Sequence, residues 1–368
     1  MNLLVRLKNT TFFILFLTLF SVSHAQSNQN FDKFYQQTVK LVDEEKFKNA
    51  FDQALNLENI GNQNNNNLQI SKANYLLAFI FKKQENYLQT IKYATKAKEF
   101  AVLENDLEYT ILSSELLSWA YVYIGFFDEA NSLLTDIDSM INQYSGKEKH
   151  FLTFKKLYRE ASLLRRKNEK PKAILQVYFK ALKEINQYNF SNIHHKNENY
   201  LSLYNNIGRN YKDINTDSSF VYFEKATKFK DSSDERGNAD LDTNIAAYFV
   251  DKNENKKAIE LLNKSIPTLI KSDHKFLTAE SYKVLADAYK NDGNLEKGLE
   301  YNTLYLTYKD SLNLKRNQSV NEAVEYVKKI KHVEKIEESN PPYAYIIAGL
   351  IAIIGLIAII VLKKNKSN

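Results

Sequence analysis

The residues that most often carry chemistry in proteins are few in this sequence, and they are not spaced as catalytic sets. The 368 residues include six histidines and no cysteine, which excludes thiolate zinc sites, disulfides and a cysteine nucleophile. The adjacent His194 and His195 are a candidate metal pair, but adjacent histidines in a polar segment such as residues 189–199 are more often solvated. Neither a His-Glu-x-x-His motif, a glycine-rich phosphate loop nor a Gly-x-Ser-x-Gly elbow is present. We therefore predict no enzyme activity, no catalytic residues, no metal site and no cofactor.

The charge balance argues against nucleic-acid binding. The net charge is +6, from 50 basic and 44 acidic residues. Five of the basic residues lie at the two ends of the chain: Arg6, Lys8, Lys363, Lys364 and Lys366. The region between them is therefore nearly neutral, unlike the basic surfaces that bind phosphate backbones.

The elements that must position any functional side chain are predicted to be helices. The chain holds 24 Tyr and 22 Phe but only 9 Gly and 4 Pro. Few turn residues favour long helices joined by short polar loops over a β-rich fold. We expect an all-α protein.

A pattern of about 40 residues repeats along the chain. Each copy has a small residue near the start of a predicted second helix, following an aromatic residue and a turn. These positions are Ala50, Thr90, Ala130, Ala173, Ser219, Ala258 and Gly298. The clearest copy is Tyr282–Tyr289, followed by Gly293, Leu295 and Gly298.

This pattern resembles the helix-turn-helix units of the tetratricopeptide repeat (TPR) family. The resemblance covers roughly residues 31–312 and implies a superhelical solenoid of about seven helical hairpins with a concave face. The family also implies groove-facing positions on the first helix of each hairpin. The binding residues assigned in this way are Tyr75, Phe79, Trp119, Asn205, Arg209 and Lys283, and Glu115 and Asp287 occupy two further positions. Two alternatives stay open, namely that these residues pack between repeats or that the register is wrong by one residue.

The two ends of the chain resemble targeting segments. Arg6 and Lys8 precede the apolar run 12–20, and Ser23-His24-Ala25 precedes a predicted cleavage site, so residues 1–25 are interpreted as a signal peptide. An uncleaved signal anchor is the alternative. Residues 341–362 are predicted to form a transmembrane helix, because 343–362 contain no charge. The lysines that follow predict a cytoplasmic tail at 363–368.

These assignments define a predicted organisation and location. Residues 26–312 form the TPR solenoid, 313–340 a charged linker helix with a short coiled coil as an alternative, and 341–362 one span of the inner membrane. The solenoid is then periplasmic or extracytoplasmic. Small residues on one face of the span suggest a weak homodimer: Ala344, Ala348, Ala352 and Gly355.

The order of elements also resembles bacterial TPR signalling proteins, including an exit helix with a Tyr-x-x-x-Lys-Asp-Ser-Leu pattern, here Tyr305 followed by Lys309-Asp310-Ser311-Leu312. We expect no cytoplasmic output domain, because only six residues follow Leu362. The leading hypothesis is a membrane-anchored scaffold that mediates protein–protein interaction by binding a protein or peptide in its groove. The alternative is a sensor component that signals through a separate cytoplasmic partner. The identity of the ligand is not predicted.

Overall fold

A computed structural model of the chain describes residues 30–272 and 274–339. These residues form fourteen α-helices and, within the described ranges, no strand. The helices are α1 (30–43), α2 (Phe47–Gln63), α3 (Asn67–Lys83), α4 (Tyr87–Leu103), α5 (Leu107–Ile124), α6 (Phe127–Gln143), α7 (Lys149–Arg166), α8 (Pro171–Ile185), α9 (Ile193–Tyr211), α10 (Thr216–Thr227), α11 (Glu235–Asp251), α12 (Asn255–Lys271), α13 (Lys275–Asn291) and α14 (Leu295–Ser339).

The helices pair into seven consecutive hairpins, from α1–α2 to α13–α14. Each hairpin packs against the next one along the chain, as α4 does against α5 and α12 against α13. The core is therefore a series of apolar clusters between neighbours rather than one central cluster. The predicted all-α, TPR-like solenoid is confirmed.

Short turns join the helices, and one residue in most of them has a left-handed backbone. Gly125 and Gly293 take φ values of 86° and 87°. Asparagine occupies the same conformation at four other turns: Asn65, Asn105, Asn168 and Asn253. Glycine and asparagine adopt this conformation at lower cost than other residues, which explains the Asn- and Gly-containing turns of the sequence.

The repeating small residues lie where the two helices of a hairpin cross. Ala50, Thr90, Ala130, Ser219, Ala258 and Gly298 each occupy the fourth residue of a second helix and are buried. A Cβ added at Gly298 would lie 3.3 Å from the carbonyl oxygen of Ala286. A larger residue would thus push the two helices apart.

The register predicted for the fourth hairpin is wrong by one residue. Ala173 is the third residue of α8 and only half-buried, whereas Ile174 is the fourth and 3% exposed. Ile174 therefore occupies the position where the two helices of this hairpin cross. The search for a small residue selected its neighbour, because this copy of the repeat has a large apolar residue at the crossing.

The last helix belongs to both of the compact units into which the chain divides. The first unit ends at Ser319 and the second begins at Val320. In the first unit, α14 is the second helix of the seventh hairpin. In the second unit, residues 320–339 continue as helix, so the predicted linker segment 313–340 is helical as far as Ser339.

The predicted localisation is wrong. Across residues 30–272 and 274–339, none of the helices has both the length and the apolar composition needed to cross a bilayer. Even α5, with its long apolar run, has 18 residues and carries Glu108 and Glu115. The predicted signal peptide (1–25), membrane span (341–362) and tail (363–368) lie outside the described residues.

Candidate ligand-binding surface

The first helices of the hairpins form the inner, concave side of the solenoid. Contacts join α3 to α5, α5 to α7, α9 to α11, and α11 to α13. Among the helices described, no two consecutive second helices contact each other as extensively. Helices on the inside of a curved stack lie closest together, so the first helices build the concave surface.

Tyr75 and Phe79 are half-buried neighbours on α3. Their rings stack with centroids 6.3 Å apart, and Tyr109 of α5 meets Tyr75 edge to face at 5.7 Å. Each ring keeps part of its surface accessible to solvent. These two predicted groove residues are therefore fixed in position and only partly buried.

Trp119, on α5, is more deeply placed than the other predicted aromatic residues. It is 6% exposed and packs between Tyr87 and Tyr123, with centroid distances of 5.5 and 4.9 Å. This environment matches the alternative of packing between repeats. The Lys82 Nζ atom lies over the Trp119 ring, 5.9 Å from its centroid.

The polar candidates fall into one pair and one separate residue. Asn205, on α9, is 1% exposed and donates from Nδ2 to Asp240 Oδ2 at 2.8 Å. Arg209 is exposed, and its Nη1 atom lies 3.9 Å from the same carboxylate oxygen. Lys283 is exposed on α13 and belongs neither to this pair nor to the aromatic group.

A charged group lies beside the aromatic residues, and we call it the central cluster: Lys82, Glu115, Trp119, Lys155 and Arg159. Arg159 donates from Nε and Nη2 to Glu115 Oε1 at 3.0 and 2.6 Å. Lys155 Nζ lies 4.0 Å from the other oxygen of Glu115. Lys82 Nζ lies over the ring of Phe79 at 5.4 Å as well as over Trp119.

The central cluster is electropositive. Burial lowers the pKa of Lys82 well below its usual range. The negative charge of Glu115 opposes this shift, and the positive charges of Lys155 and Arg159 add to it. Burial alone would raise the pKa of Glu115, but Lys155, Arg159 and Lys82 together lower it. The pKa of Tyr123 is also lowered despite burial, because Arg159 and Arg166 favour its anion. A partly buried tyrosine with a lowered pKa indicates a positive local potential.

A second group joins the two ends of the solenoid, and we call it the clasp. It consists of four pairs between the first two hairpins and the last three: Asp43–His195, Glu45–His274, Lys83–Glu198 and Glu85–Arg236. Their N···O distances are 3.2, 2.9, 2.6 and 2.8 Å. The clasp brings the turns of the first two hairpins onto α9, α11 and the start of α13, across the concave surface.

Two acidic residues of the clasp have an uncommon backbone. Glu45 and Glu85 take φ values of 55° and 56°, in the conformation that the equivalent turns give to asparagine or glycine. The left-handed conformation is unfavourable for such side chains. Residues held in unfavourable conformations cluster at functional sites, which makes the clasp a candidate for a functional element.

The histidine pair lies in the first turn of α9, not in a loop. The Asn192 side chain accepts hydrogen bonds from the backbone N–H groups of His194 and His195. His194 Nδ1 lies 2.8 Å from Asp231 Oδ2, and the hydrogen bond to Asp43 raises the pKa of His195. In the part of the chain that the structure describes, no group of three or more metal-ligating side chains is placed to hold an ion.

Sequence reasoning missed the cations of the concave surface. Lys82 lies three residues after Phe79 and therefore on the same face of α3. Extending the predicted groove-facing positions by one helical turn would have included it. Arg159 and Lys155 belong to the fourth hairpin, whose repeat signature is weak. The clasp pairs carry no local signal, because each joins residues more than a hundred positions apart.

Comparisons with known proteins show the fold. No described protein family and no curated protein matches the sequence. The structure is similar to that of the apo form of the quorum sensor NprR from B. thuringiensis, with a TM-score of 0.58 and 17% identity over 77% of each chain. It is also similar to the apo form of RapI, with a TM-score of 0.53 and 12% identity over 77% of this chain and 99% of that one. The fold is that of the TPR-like helical-repeat proteins.

Proposed function

We propose that this chain is a protein-interaction module that binds a protein or peptide segment along its concave surface. The observation that carries the proposal is the pair of partly buried rings on α3, Tyr75 and Phe79, next to the central cluster. Aromatic surface held rigidly in a groove provides contact area at little entropic cost. Arg209 and Lys283, exposed on the first helices α9 and α13, are proposed to contact more distant parts of the same ligand.

A second candidate function is a ligand sensor that signals through a separate partner protein. The clasp favours it, because ligand entry beneath the clasp would change how the first and last hairpins meet. The similarity in fold to a quorum sensor supports the same idea. A scaffold and a sensor share the groove and differ in whether binding changes the shape of the solenoid.

The proposal is tested by selecting ligands from a displayed library of random twelve-residue peptides. Peptides selected on the wild-type chain are expected to bind the Tyr75→Ala/Phe79→Ala variant at least about tenfold more weakly, because central aromatic contacts dominate binding energy. The matched control is Val221→Ala, which removes an exposed apolar side chain from the second helix α10. Equal binding to all three proteins would place the ligand elsewhere and contradict the proposal.

A further inference from the structure

The clasp contains side chains whose charge changes near neutral pH. In one of its pairs, His195 Nε2 lies 3.2 Å from Asp43 Oδ2. In another, His274 Nε2 lies 2.9 Å from Glu45 Oε2. Imidazole side chains change charge between about pH 5 and 8, whereas lysine and arginine side chains stay charged over that range. The strength of the two histidine pairs therefore depends on pH, and that of the other two pairs does not.

A further carboxylate, that of Asp234, lies in the same part of the molecule. It lines a narrow cleft, which we call the clasp cleft, together with Asp43, Glu45, Lys83, His195 and Glu198. The carboxylate caps α11 by accepting a hydrogen bond from Gly237 N at 2.8 Å. Burial and the negative charge of Glu198 raise the pKa of Asp234 to about 6, and Lys83 opposes this shift. Asp234 therefore loses its charge over the pH range in which the histidines gain theirs.

His195 faces charged groups from three helices. Asp43 is the last residue of α1, Glu198 follows His195 on α9, and Lys83 belongs to α3. The hydrogen bond to Asp43 raises the pKa of His195, and the charge of Glu198 adds to this shift against that of Lys83. The pair of His195 with Asp43 is therefore strongest in acid and is lost as the pH rises through the pKa of His195.

The carboxylates of the clasp remain ionised at pH 5. Burial alone would raise the pKa of Glu45, but the hydrogen bond and charge of His274, with the charges of Lys83 and Arg236, lower it. The charge of Lys83 lowers the pKa of Glu198 to about 2. Mild acid therefore adds positive charge at the histidines without removing the negative charges that they meet.

The charge balance of the clasp and its cleft changes with pH as a result. Its five carboxylates are Asp43, Glu45, Glu85, Glu198 and Asp234, and its permanent cations are Lys83 and Arg236. At pH 8.5 the net charge is thus −3. At pH 5.0 two charged histidines and a neutral Asp234 bring it to zero. His194 and Asp231 pair with each other at 2.8 Å on the α9 side and do not change this difference.

We propose that the clasp closes in mild acid and opens in mild base, and that it thereby controls access to the concave surface. Charged histidines hold Asp43 and Glu45, and a neutral Asp234 no longer repels Glu198, so both changes favour the closed state in acid. Opening would release the turns of the first two hairpins from α9, α11 and α13. The control of ligand entry rests on the proposed function, whereas the opening itself does not.

The test measures the distance across the clasp by pulsed electron paramagnetic resonance, with no ligand present. The sequence contains no cysteine, so Lys48→Cys and Ser232→Cys can each carry a nitroxide label without labelling elsewhere. Both side chains are exposed, Lys48 at the start of α2 and Ser232 two residues before Asp234. Because ligand is absent, a failed peptide selection does not affect this measurement.

The population with the short distance is expected to dominate at pH 5.0 and to decrease at pH 8.5. A rise in the pKa of Asp234 from 3.8 to about 6 alone makes the ratio of closed to open molecules about tenfold larger at pH 5.0 than at pH 8.5. The histidines add to this ratio. The same distances at both pH values, or a longer distance at pH 5.0, would overturn the proposal.

Variants identify the groups responsible. His195→Gln/His274→Gln/Asp234→Asn keeps polar side chains at all three positions but none that titrates, so its distances should be equal at both pH values. Asp234→Asn alone still caps α11 and should respond less than the wild type. His150→Gln removes a histidine pair with Glu184, at 2.8 Å and outside the clasp, and should respond fully.

Circular dichroism at both pH values establishes that each variant is folded. A folded triple variant that responds as strongly as the wild type would overturn the proposal. If the triple variant does not fold, Asp234→Asn decides, and a full wild-type response in this variant would overturn the role of the Asp234 charge in the clasp.

Discussion

Lys83, in the last turn of α3, donates a hydrogen bond to Glu198 of α9 over 2.6 Å, although 115 positions separate the two residues. The ammonium group lowers the pKa of Glu198 to about 2. The second hairpin thereby touches the fifth, and the other three pairs of the clasp likewise join the first two hairpins to the last three. A solenoid that would otherwise have contacts only between neighbours gains contacts between its ends.

Removing this ion pair is expected to open the solenoid. Lys83→Met leaves Glu198 partly buried without its cation, so the free energy of unfolding should fall by about 1–2 kcal/mol, a range reduced for partial exposure. The radius of gyration from small-angle X-ray scattering should increase. Lys264→Met, which removes the exposed pair with Glu260, is the matched control and should change neither quantity. An unchanged radius for Lys83→Met would show that the clasp does not hold the ends together.

Asp234, in the clasp cleft, is expected to make stability depend on pH. Burial, together with the negative charge of Glu198, raises its pKa from 3.8 to about 6. A carboxyl group whose pKa is raised in the folded state contributes to the free energy of unfolding. This contribution is complete below pH 3.8 and is lost as the pH rises through about 6. The ionised carboxylate of Asp234 therefore destabilises the folded wild-type chain at pH 7.5, whereas the protonated group does not do so at pH 4.

Asp234→Asn should remove this cost. Asparagine still caps α11, where the side chain accepts from Gly237 N at 2.8 Å. The variant should be more stable than the wild type by about 1–2 kcal/mol at pH 7.5 and no more stable at pH 4, by chemical denaturation. Asp106→Asn alters the N-cap of α5 outside the clasp and should change stability by less than about 0.5 kcal/mol at either pH. A gain at pH 4 as large as at pH 7.5 would exclude the charge of Asp234 as the cause.

Substitutions of Trp119 and Phe79 are expected to distinguish a residue needed for packing from a residue needed for ligand binding. Trp119→Ala should lower the free energy of unfolding by about 3–5 kcal/mol, because the indole packs between Tyr87 and Tyr123. Phe79→Ala should cost only about 1 kcal/mol, because the ring is only partly buried, but should weaken peptide binding. Thermal unfolding and a peptide titration measure both effects. A stable Trp119→Ala protein that has lost its ligand would make Trp119 a groove residue instead.

The repeat was predictable because its chemistry is local. A small residue is needed wherever two helices cross closely, and a left-handed residue is needed at each tight turn, so Ala130 and Gly293 could be located from sequence spacing alone. Ala173 was assigned wrongly because Ile174 fills that crossing with a large side chain. The clasp was not predictable, because the meeting of Lys83 and Glu198 depends on the pitch of the whole superhelix. Trp119 matched the groove pattern, yet Tyr87 from the neighbouring helix covers it.

The most direct test of a concave binding surface is photo-crosslinking from defined positions in the cell that makes the protein. A benzophenone amino acid replaces Phe79 on the concave surface or Val221 on α10. Position 79 should yield an adduct that mass spectrometry maps to a short segment of one partner, and the synthetic segment should compete it away. Position 221 should not yield it. A concave binding surface is contradicted if position 79 yields no adduct, or if both positions capture the same partner and the segment competes with neither.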